Sequence, residues 1–143
     1  MKDNSLTLPD PLIWQAGIEY GLEALADLPL GVWVCTLRDH GPMLEAAAFA
    51  VHQLGLQDYV RFQPRFGSRS GGSQIALFPR VAPLDHNLIL DSLKRGNVVV
   101  TSDPSFAFDC SNLLIFPRRD SRTLRDILLY LLDRTSGLAE IGE

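Results

Sequence analysis

The chain has 143 residues, of which 46% are hydrophobic and 21% charged, and its formal net charge at pH 7 is −4. This is ordinary for one soluble globular domain, and the acidic balance argues against a nucleic-acid partner, which needs a basic face. No apolar run approaches the roughly 20 residues of a transmembrane helix, and residues 1–10 lack the apolar core of a signal peptide. We therefore expect a cytoplasmic protein with no transmembrane segment, in which Cys35 and Cys110 are small buried side chains.

The first elements follow from hydrophobic spacing and from breakers. Residues 1–11 carry two prolines and little periodicity, which predicts a flexible N-terminal arm before a single domain that spans residues 12–143. Apolar residues of 12–27 recur at three- and four-residue spacing, which predicts a helix. The apolar, β-branched run 31–37 is typical of a strand covered on both faces of a sheet. Residues 43–54 then predict a helix that stops at Gly55.

Two further strands, 58–63 and 74–78, flank the loop 64–73, PRFGSRSGGS. The spacing of its glycines matches neither the GxGxxG nor the GxxxxGK[ST] phosphate-binding loop. The apolar run after it is typical of a strand rather than a helix. We expect a surface or lid-like loop, with a phosphate loop as the alternative. Arg65 and Arg69 would reach an anion from it, because a guanidinium binds phosphate in a bidentate manner.

The segment 85–134 reads as helix, buried strand, loop, buried strand, loop and helix. Strands that alternate with helices imply parallel pairing with right-handed crossovers. The predicted fold class is therefore α/β, a three-layer α/β/α sandwich with a mostly parallel, five-stranded Rossmann-like sheet. Ligands bind at the carboxyl ends of such strands.

Several polar residues follow the predicted strands, each with a structural alternative. His40 and His86 would suit acid–base chemistry, because histidine titrates near neutral pH. Ser102 and Asp103 hold a natural ligand position, although both residue types also form turns. Asp85 suits either a ligand contact or the cap of the next helix.

The remaining patterns point to no reaction. The arginines within 118–125 are either a solvated helix start or an anion site. No nucleophile–base pattern and no metal-ligand spacing is present. We therefore predict no catalytic residues, no metal and no cofactor.

Three segments resemble a known family: GVWVCTLRDHGPMLEAAAFAVHQLGLQDYVRF, LFPRVAPLDHNLILDSLKRGNVVVTSD and NLLIFPRRDSRTLRDILLYLL. They are similar, in order, to the C-terminal donor-nucleotide-binding domain of retaining glycosyltransferases of the two-Rossmann-domain (GT-B) architecture. The resemblance covers roughly residues 14–143. The acceptor-binding domain of that family has no counterpart in this chain.

The resemblance implies a nucleotide site at the start of the helix after residue 85. Asp91 would contact a ribose hydroxyl, and the backbone N–H groups of Asn87 and Leu88 would bind a phosphate. Pro83 stands where the family has a first acidic residue, so Asp85 would replace that acid. The family's basic pair for the donor diphosphate is not matched. The predicted nucleotide-binding residues are Asp91, Asn87, Leu88, His86, Asp85 and Arg65.

The sequence thus predicts a glycosyltransferase-like domain that binds a nucleotide or nucleotide-sugar, is inactive alone and acts as a subunit or accessory domain. Its partner would be a chain that supplies the acceptor domain, or a second copy bound through the apolar C-terminal helix. The alternative is a degenerate α/β module, related to receiver or nucleotide-binding folds, that serves interaction or regulation and has no ligand chemistry.

Overall fold

The structure, a computed structural model, describes residues 4–29, 31, 33–63, 74–103 and 112–136. The strands are β1 Asn4–Leu8, β2 Trp33–Arg38, β3 Val60–Gln63, β4 Ile75–Phe78, β5 Val98–Thr101 and β6 Leu113–Ile115. The helices are α1 Ile18–Ala26, α2 Leu44–Gln53, α3 Asn87–Lys94 and α4 Ser121–Ser136, and a short 3-10 turn, Trp14–Ala16, precedes α1.

The strands form one sheet in the order β3-β2-β1-β4-β5-β6, and every pair is parallel. This is the order of the doubly wound dinucleotide-binding fold, whose topological switch point lies between β1 and β4. The α/β Rossmann-like prediction is confirmed, with six strands rather than five.

The additional strand corrects the interpretation of the N-terminus. Residues 4–8 are not part of a flexible arm but form β1, which pairs with both β2 and β4 at the middle of the sheet. Leu6 and Leu8 are fully buried, because they alternate with Ser5 and Thr7 and point to the same core. Pro9 follows the strand and ends it, since proline cannot continue a central ladder.

The helices lie on both faces of the sheet. α1 contacts both α2 and α4, and these three helices share one apolar cluster with β1, β2, β3 and one side of β4 and β5. α3 covers the other face, where Ile89 packs against Phe78 and Val99. No described helix is long and apolar enough to cross a membrane.

β2 differs from the prediction of burial on both faces. Trp33, Cys35 and Leu37 are buried, whereas the alternate residues, Val34 among them, are half-buried. The reason is that the apolar contacts of α3 are with β4, β5 and β6, so the helix does not extend over β2. Cys35 is a small buried residue as predicted, and its burial raises the pKa of the thiol; Cys110 lies outside the described residues.

Candidate ligand site at the carboxyl edge

Three central strands are each followed, two residues later, by a buried charged side chain. Asp10 follows β1, Arg80 follows β4 and Asp103 follows β5, and these residues are 2%, 1% and 3% exposed. The strands are parallel neighbours, so the three groups meet at the carboxyl edge, beside the switch point. This is the part of an open α/β sheet where ligands bind.

Arg80 is the centre of this cluster. Its Nε and Nη2 donate to the two carboxylate oxygens of Asp10, each at 2.8 Å. Its Nη1 donates to the backbone carbonyl of Asp85 at 3.0 Å and lies 3.5 Å from Oδ2 of Asp103. The guanidinium carbon also lies 5.1 Å from the centre of the Phe78 ring. Arg80 therefore ties together the segments that follow β1, β4 and β5.

The backbone around Arg80 is held by its neighbours. The hydroxyl of Ser102 donates to the Arg80 carbonyl at 2.6 Å. The Thr101 hydroxyl donates to the Phe78 carbonyl at 3.1 Å, and the Thr101 hydroxyl oxygen accepts the N–H of Asp103 at 3.1 Å. Ser102 and Asp103 therefore lie at the predicted ligand edge while Asp103 also takes part in a local turn.

The start of α3 lies next to this cluster. Asp85 Oδ1 accepts the backbone N–H of Asn87 at 2.9 Å, so the Asp85 carboxylate caps the helix from the residue before the N-cap. His86 is the N-cap, and its half-exposed ring places Nε2 4.0 Å from Oδ2 of Asp103. Asp85 therefore has the capping role that was one of its two predicted roles. Its carboxylate accepts the Asn87 N–H, which the sequence analysis assigned to a phosphate.

A surface cavity of about 770 Å³ runs along α3. The cavity is largely open to solvent, and its described lining comes from α3 alone. Asp91, on its wall, forms an ion pair with Arg95 at 2.9 Å, and both side chains are more than half exposed. Such a surface pair is weak, so the Asp91 carboxylate can exchange it for a ligand hydroxyl. The described residues that line the cavity are Asn87, Leu88, Leu90, Asp91, Leu93 and Lys94.

Solved structures of glycosyltransferases superpose closely on this domain. HepE of Anabaena, solved in complex with UDP, matches with a TM-score of 0.80 and 16% identity over 93% of this chain and 40% of its own. The lipopolysaccharide outer core galactosyltransferase WaaB, in its apo form, matches with a TM-score of 0.71 and 14% identity over 89% of this chain and 39% of its own. The C-terminal domain of the group 1 glycosyltransferase LpcC from Francisella tularensis matches with a TM-score of 0.75 and 14% identity over 93% of this chain and 77% of that structure.

The chain has the fold of the C-terminal domain of a GT-B glycosyltransferase. At these identities the likeness shows the fold, and the chain spans about two fifths of the length of HepE and WaaB. No protein-family model and no curated protein matches the sequence.

In this GT-B fold the predicted site residues fall into two neighbouring groups. Asn87, Leu88 and Asp91 line the cavity along α3, whereas Asp85 and His86 adjoin the buried cluster around Arg80. Arg65 lies outside the described residues. Whether these residues bind a nucleotide stays a prediction.

Two residues of the edge were missed by the sequence interpretation, namely Asp10 and Arg80. Asp10 was assigned to the flexible arm, which concealed its place after a central strand. The signal was present, because the LTLPD segment alternates apolar and polar residues before a proline, a pattern typical of a strand end. Arg80 follows a recognised strand, but its partner lies 70 positions away and depends on the strand order.

Proposed function

We propose that this GT-B-like domain binds the nucleoside part of a nucleotide or nucleotide-sugar in the cavity along α3. The observation that carries the proposal is the placement of Asn87, Leu88 and Asp91 in one cavity along α3, a helix that begins at the carboxyl edge. The Asp91 carboxylate would accept hydrogen bonds from ribose hydroxyls, and the Asn87 amide offers both a donor and an acceptor. Leu88 and Leu90 would supply an apolar surface for a base or sugar ring.

We further propose that the domain is inactive alone and acts as a subunit or accessory domain in the cytoplasm. One observation supports this: Pro83, which cannot serve as a carboxylate, stands where the resemblance requires an acid. In this proposal a partner chain supplies the acceptor side of a complete site.

Ligand titration tests this proposal directly. Uridine, guanosine, UDP-sugars and GDP-sugars would be added while the melting temperature and the amide chemical shifts are recorded. A ligand present at 100 times its Kd stabilises the protein by roughly 2.7 kcal/mol, which gives a measurable rise in melting temperature. The chemical shifts should change for Asn87, Leu88 and Asp91.

Two variants make the test specific. Asp91→Ala should abolish the response. Asp126→Ala is the matched control, because Asp126 also forms an exposed ion pair with an arginine, but on α4. A response that persists in Asp91→Ala would exclude Asp91 from the site, and no response of the wild type to any nucleoside or nucleotide would refute the proposed function.

The second candidate is an interaction module without ligand chemistry. The observation that favours it is exposed apolar surface on α4, where Leu129 and Tyr130 are 38% and 56% exposed. Failure of every nucleotide to bind, together with a stable dimer in solution, would support this candidate over the first.

A further inference from the structure

The buried cluster at the carboxyl edge contains two carboxylates and one cation among the described residues, namely Asp10, Asp103 and Arg80. Asp10 accepts from Nε and Nη2 of the guanidinium, each at 2.8 Å. Nη1 donates to the Asp85 carbonyl and lies 3.5 Å from Oδ2 of Asp103. A buried carboxylate loses its hydration, and nearby positive charge and hydrogen bonds must compensate for the loss. Arg80 gives less of this compensation to Asp103 than to Asp10.

His86 is placed to bring a second positive charge to this cluster. It is the N-cap of α3, its side chain is 46% exposed, and its Nε2 lies 4.0 Å from Oδ2 of Asp103. One carboxylate oxygen of Asp103 is therefore within 4.0 Å of both Arg80 and His86. Because histidine changes its charge between about pH 5 and pH 8, the charge at the start of α3 depends on pH in this range.

The charged groups around His86 favour its protonated form at this place. Those that the structure describes are Asp103 after β5, Arg80 after β4 and the neighbouring Asp85 before α3. The next charged residue along α3 is Asp91, which lies more than one turn away and pairs with an arginine. Two carboxylates and one guanidinium leave a net negative charge near the imidazole. An imidazolium is attracted by this charge, whereas a neutral imidazole is not.

We propose that His86 and Asp103 form a pH-sensitive latch that joins the start of α3 to the end of β5. At about pH 5.5 the protonated imidazole is attracted to the Asp103 carboxylate and holds the first turn of α3 against the buried cluster. At about pH 8 the imidazole is neutral and this attraction is lost, so the latch stabilises the fold only on the acidic side of neutrality. The latch is independent of the proposed function, because it involves no ligand.

Urea unfolding of the wild type and His86→Gln at two pH values tests the latch. Glutamine keeps a polar side chain at the N-cap but does not titrate. At about pH 5.5 and about pH 8, exposed carboxylates are ionised in both proteins. We expect His86→Gln to raise the unfolding equilibrium constant about threefold more at the lower pH, within the range for a partly exposed ion pair. An equal effect at both pH values, or a larger effect at the higher one, would overturn the proposal.

His40→Gln is the matched control for this comparison. His40 is an exposed histidine at the same edge, just after β2, and it belongs to no ion pair among the described residues. Its replacement should change the unfolding equilibrium constant equally at both pH values. A pH dependence as large as that of His86→Gln would refute the latch, because the effect would then not be specific to His86.

An Asp103→Asn background tests whether Asp103 is the partner of His86. In this background His86→Gln should have the same effect at both pH values, because the charge that attracts the imidazolium has been removed. A pH dependence that persists at its full size would show that Asp103 is not the partner and would overturn the proposal.

Amide hydrogen exchange decides the question if Asp103→Asn does not fold. The Leu90 N–H donates to the His86 carbonyl at 3.0 Å, so its exchange reports the opening of the first turn of α3. The ratio of its protection factors in wild type and His86→Gln should be about threefold higher at pH 5.5 than at pH 8. The Ala47 N–H, which donates to the Met43 carbonyl at the start of α2, is the internal control and should show no such change. A Leu90 ratio that is the same at both pH values would refute the latch.

Discussion

The Asp10–Arg80 pair is almost inaccessible to solvent, with side chains 3% and 1% exposed. Charges buried this deeply lose their hydration, and their attraction offsets the loss only when hydrogen bonds satisfy both groups. Arg80 meets this condition through two bonds to Asp10 and one to the Asp85 carbonyl. The pair therefore fixes the segments after β1 and β4 relative to each other, next to the switch point of the sheet.

Loss of Arg80 is expected to destabilise the fold more than loss of Asp10. Arg80→Met leaves the carboxylates of Asp10 and Asp103 buried near each other, whereas Asp10→Ala leaves Arg80 beside Asp103. We expect the free energy of unfolding to fall by about 5 kcal/mol for Arg80→Met and about 3 kcal/mol for Asp10→Ala, which spans the range for breaking a buried pair. Urea unfolding followed by circular dichroism measures both values.

The double variant Asp10→Leu with Arg80→Met provides the control for that comparison. It should lose less stability than Arg80→Met alone, because one stranded carboxylate is replaced by an apolar side chain. Equal losses of stability for the two single variants would contradict this account of the buried pair. So would a double variant that is less stable than Arg80→Met.

Among the elements, the connection from β1 to α1 depends on a glycine at its closest approach to β4. Gly17 has φ +62°, and a Cβ at this position would lie within about 1.8 Å of the carbonyl oxygen of Pro79. The connection is held there because the N–H of Val81 donates to the Gln15 carbonyl at 2.9 Å. This contact brings the segment that contains Asp10 against the one that contains Arg80.

Gly17→Ala should therefore reduce the stability of the fold more than the same replacement at a glycine that has a similar positive φ but no close neighbours. Gly55 is the matched control, since its φ is +73° and a Cβ there would meet nothing within 4 Å. We expect Gly55→Ala to cost about 1 kcal/mol for the left-handed backbone and Gly17→Ala about 1–3 kcal/mol more for overpacking. Thermal unfolding of the two variants makes the comparison, and similar losses would disprove the close approach.

The start of α4 depends on Asp120. Its Oδ1 accepts the N–H of Thr123 at 3.0 Å and its Oδ2 accepts the Thr123 hydroxyl at 2.7 Å. The pKa of Asp120 is lowered mainly by the backbone hydrogen bond from Thr123 and next by the hydrogen bond from the Thr123 hydroxyl. Because the folded pKa is below the unfolded one, this stabilisation is present above the unfolded pKa, about 3.9, and is lost as the pH falls through the folded value.

Asp120→Asn keeps a side-chain oxygen that caps the helix and removes the negative charge. Asparagine also caps a helix but does not titrate, so the stability difference between wild type and Asp120→Asn should shrink as the pH is lowered below the unfolded pKa. Asp120→Ala should lose stability at every pH. Urea unfolding over a pH series measures the three proteins, and a difference from Asp120→Asn that stays constant with pH would contradict the role of the charge.

Most elements could be predicted from local patterns, because apolar spacing and breakers specify a helix or a buried strand within a few residues. β1 could not, since Asn4, Ser5 and Thr7 reduce its apolar content and Pro9 and Pro11 suggest an irregular segment. The start of α3 could be located from Asp85 and the apolar residues after it. The Asp10–Arg80 pair could not, because it depends on which strands are neighbours in the sheet.

At the scale of the whole molecule, the helices of the described residues are divided unequally between the two faces of the sheet. Three helices share one apolar cluster on one face, while α3 packs over β4, β5 and β6 on the other. The outer surfaces of the three-helix layer still carry apolar side chains, because Phe49 on α2 and Tyr130 on α4 are 65% and 56% exposed. Of these surfaces, we propose that the exposed face of α4 is the one on which a second copy would bury apolar area.

The predicted homodimer through α4 can be tested with a pair of variants matched in exposure. Leu129 on α4 is 38% exposed and Leu54, at the end of α2, is 39% exposed. Leu129→Lys would bury an unpaired charge in the dimer, so sedimentation equilibrium should show a dissociation constant raised by at least about tenfold, while Leu54→Lys should leave it unchanged. A wild-type chain that sediments as a monomer at high concentration would refute the homodimer.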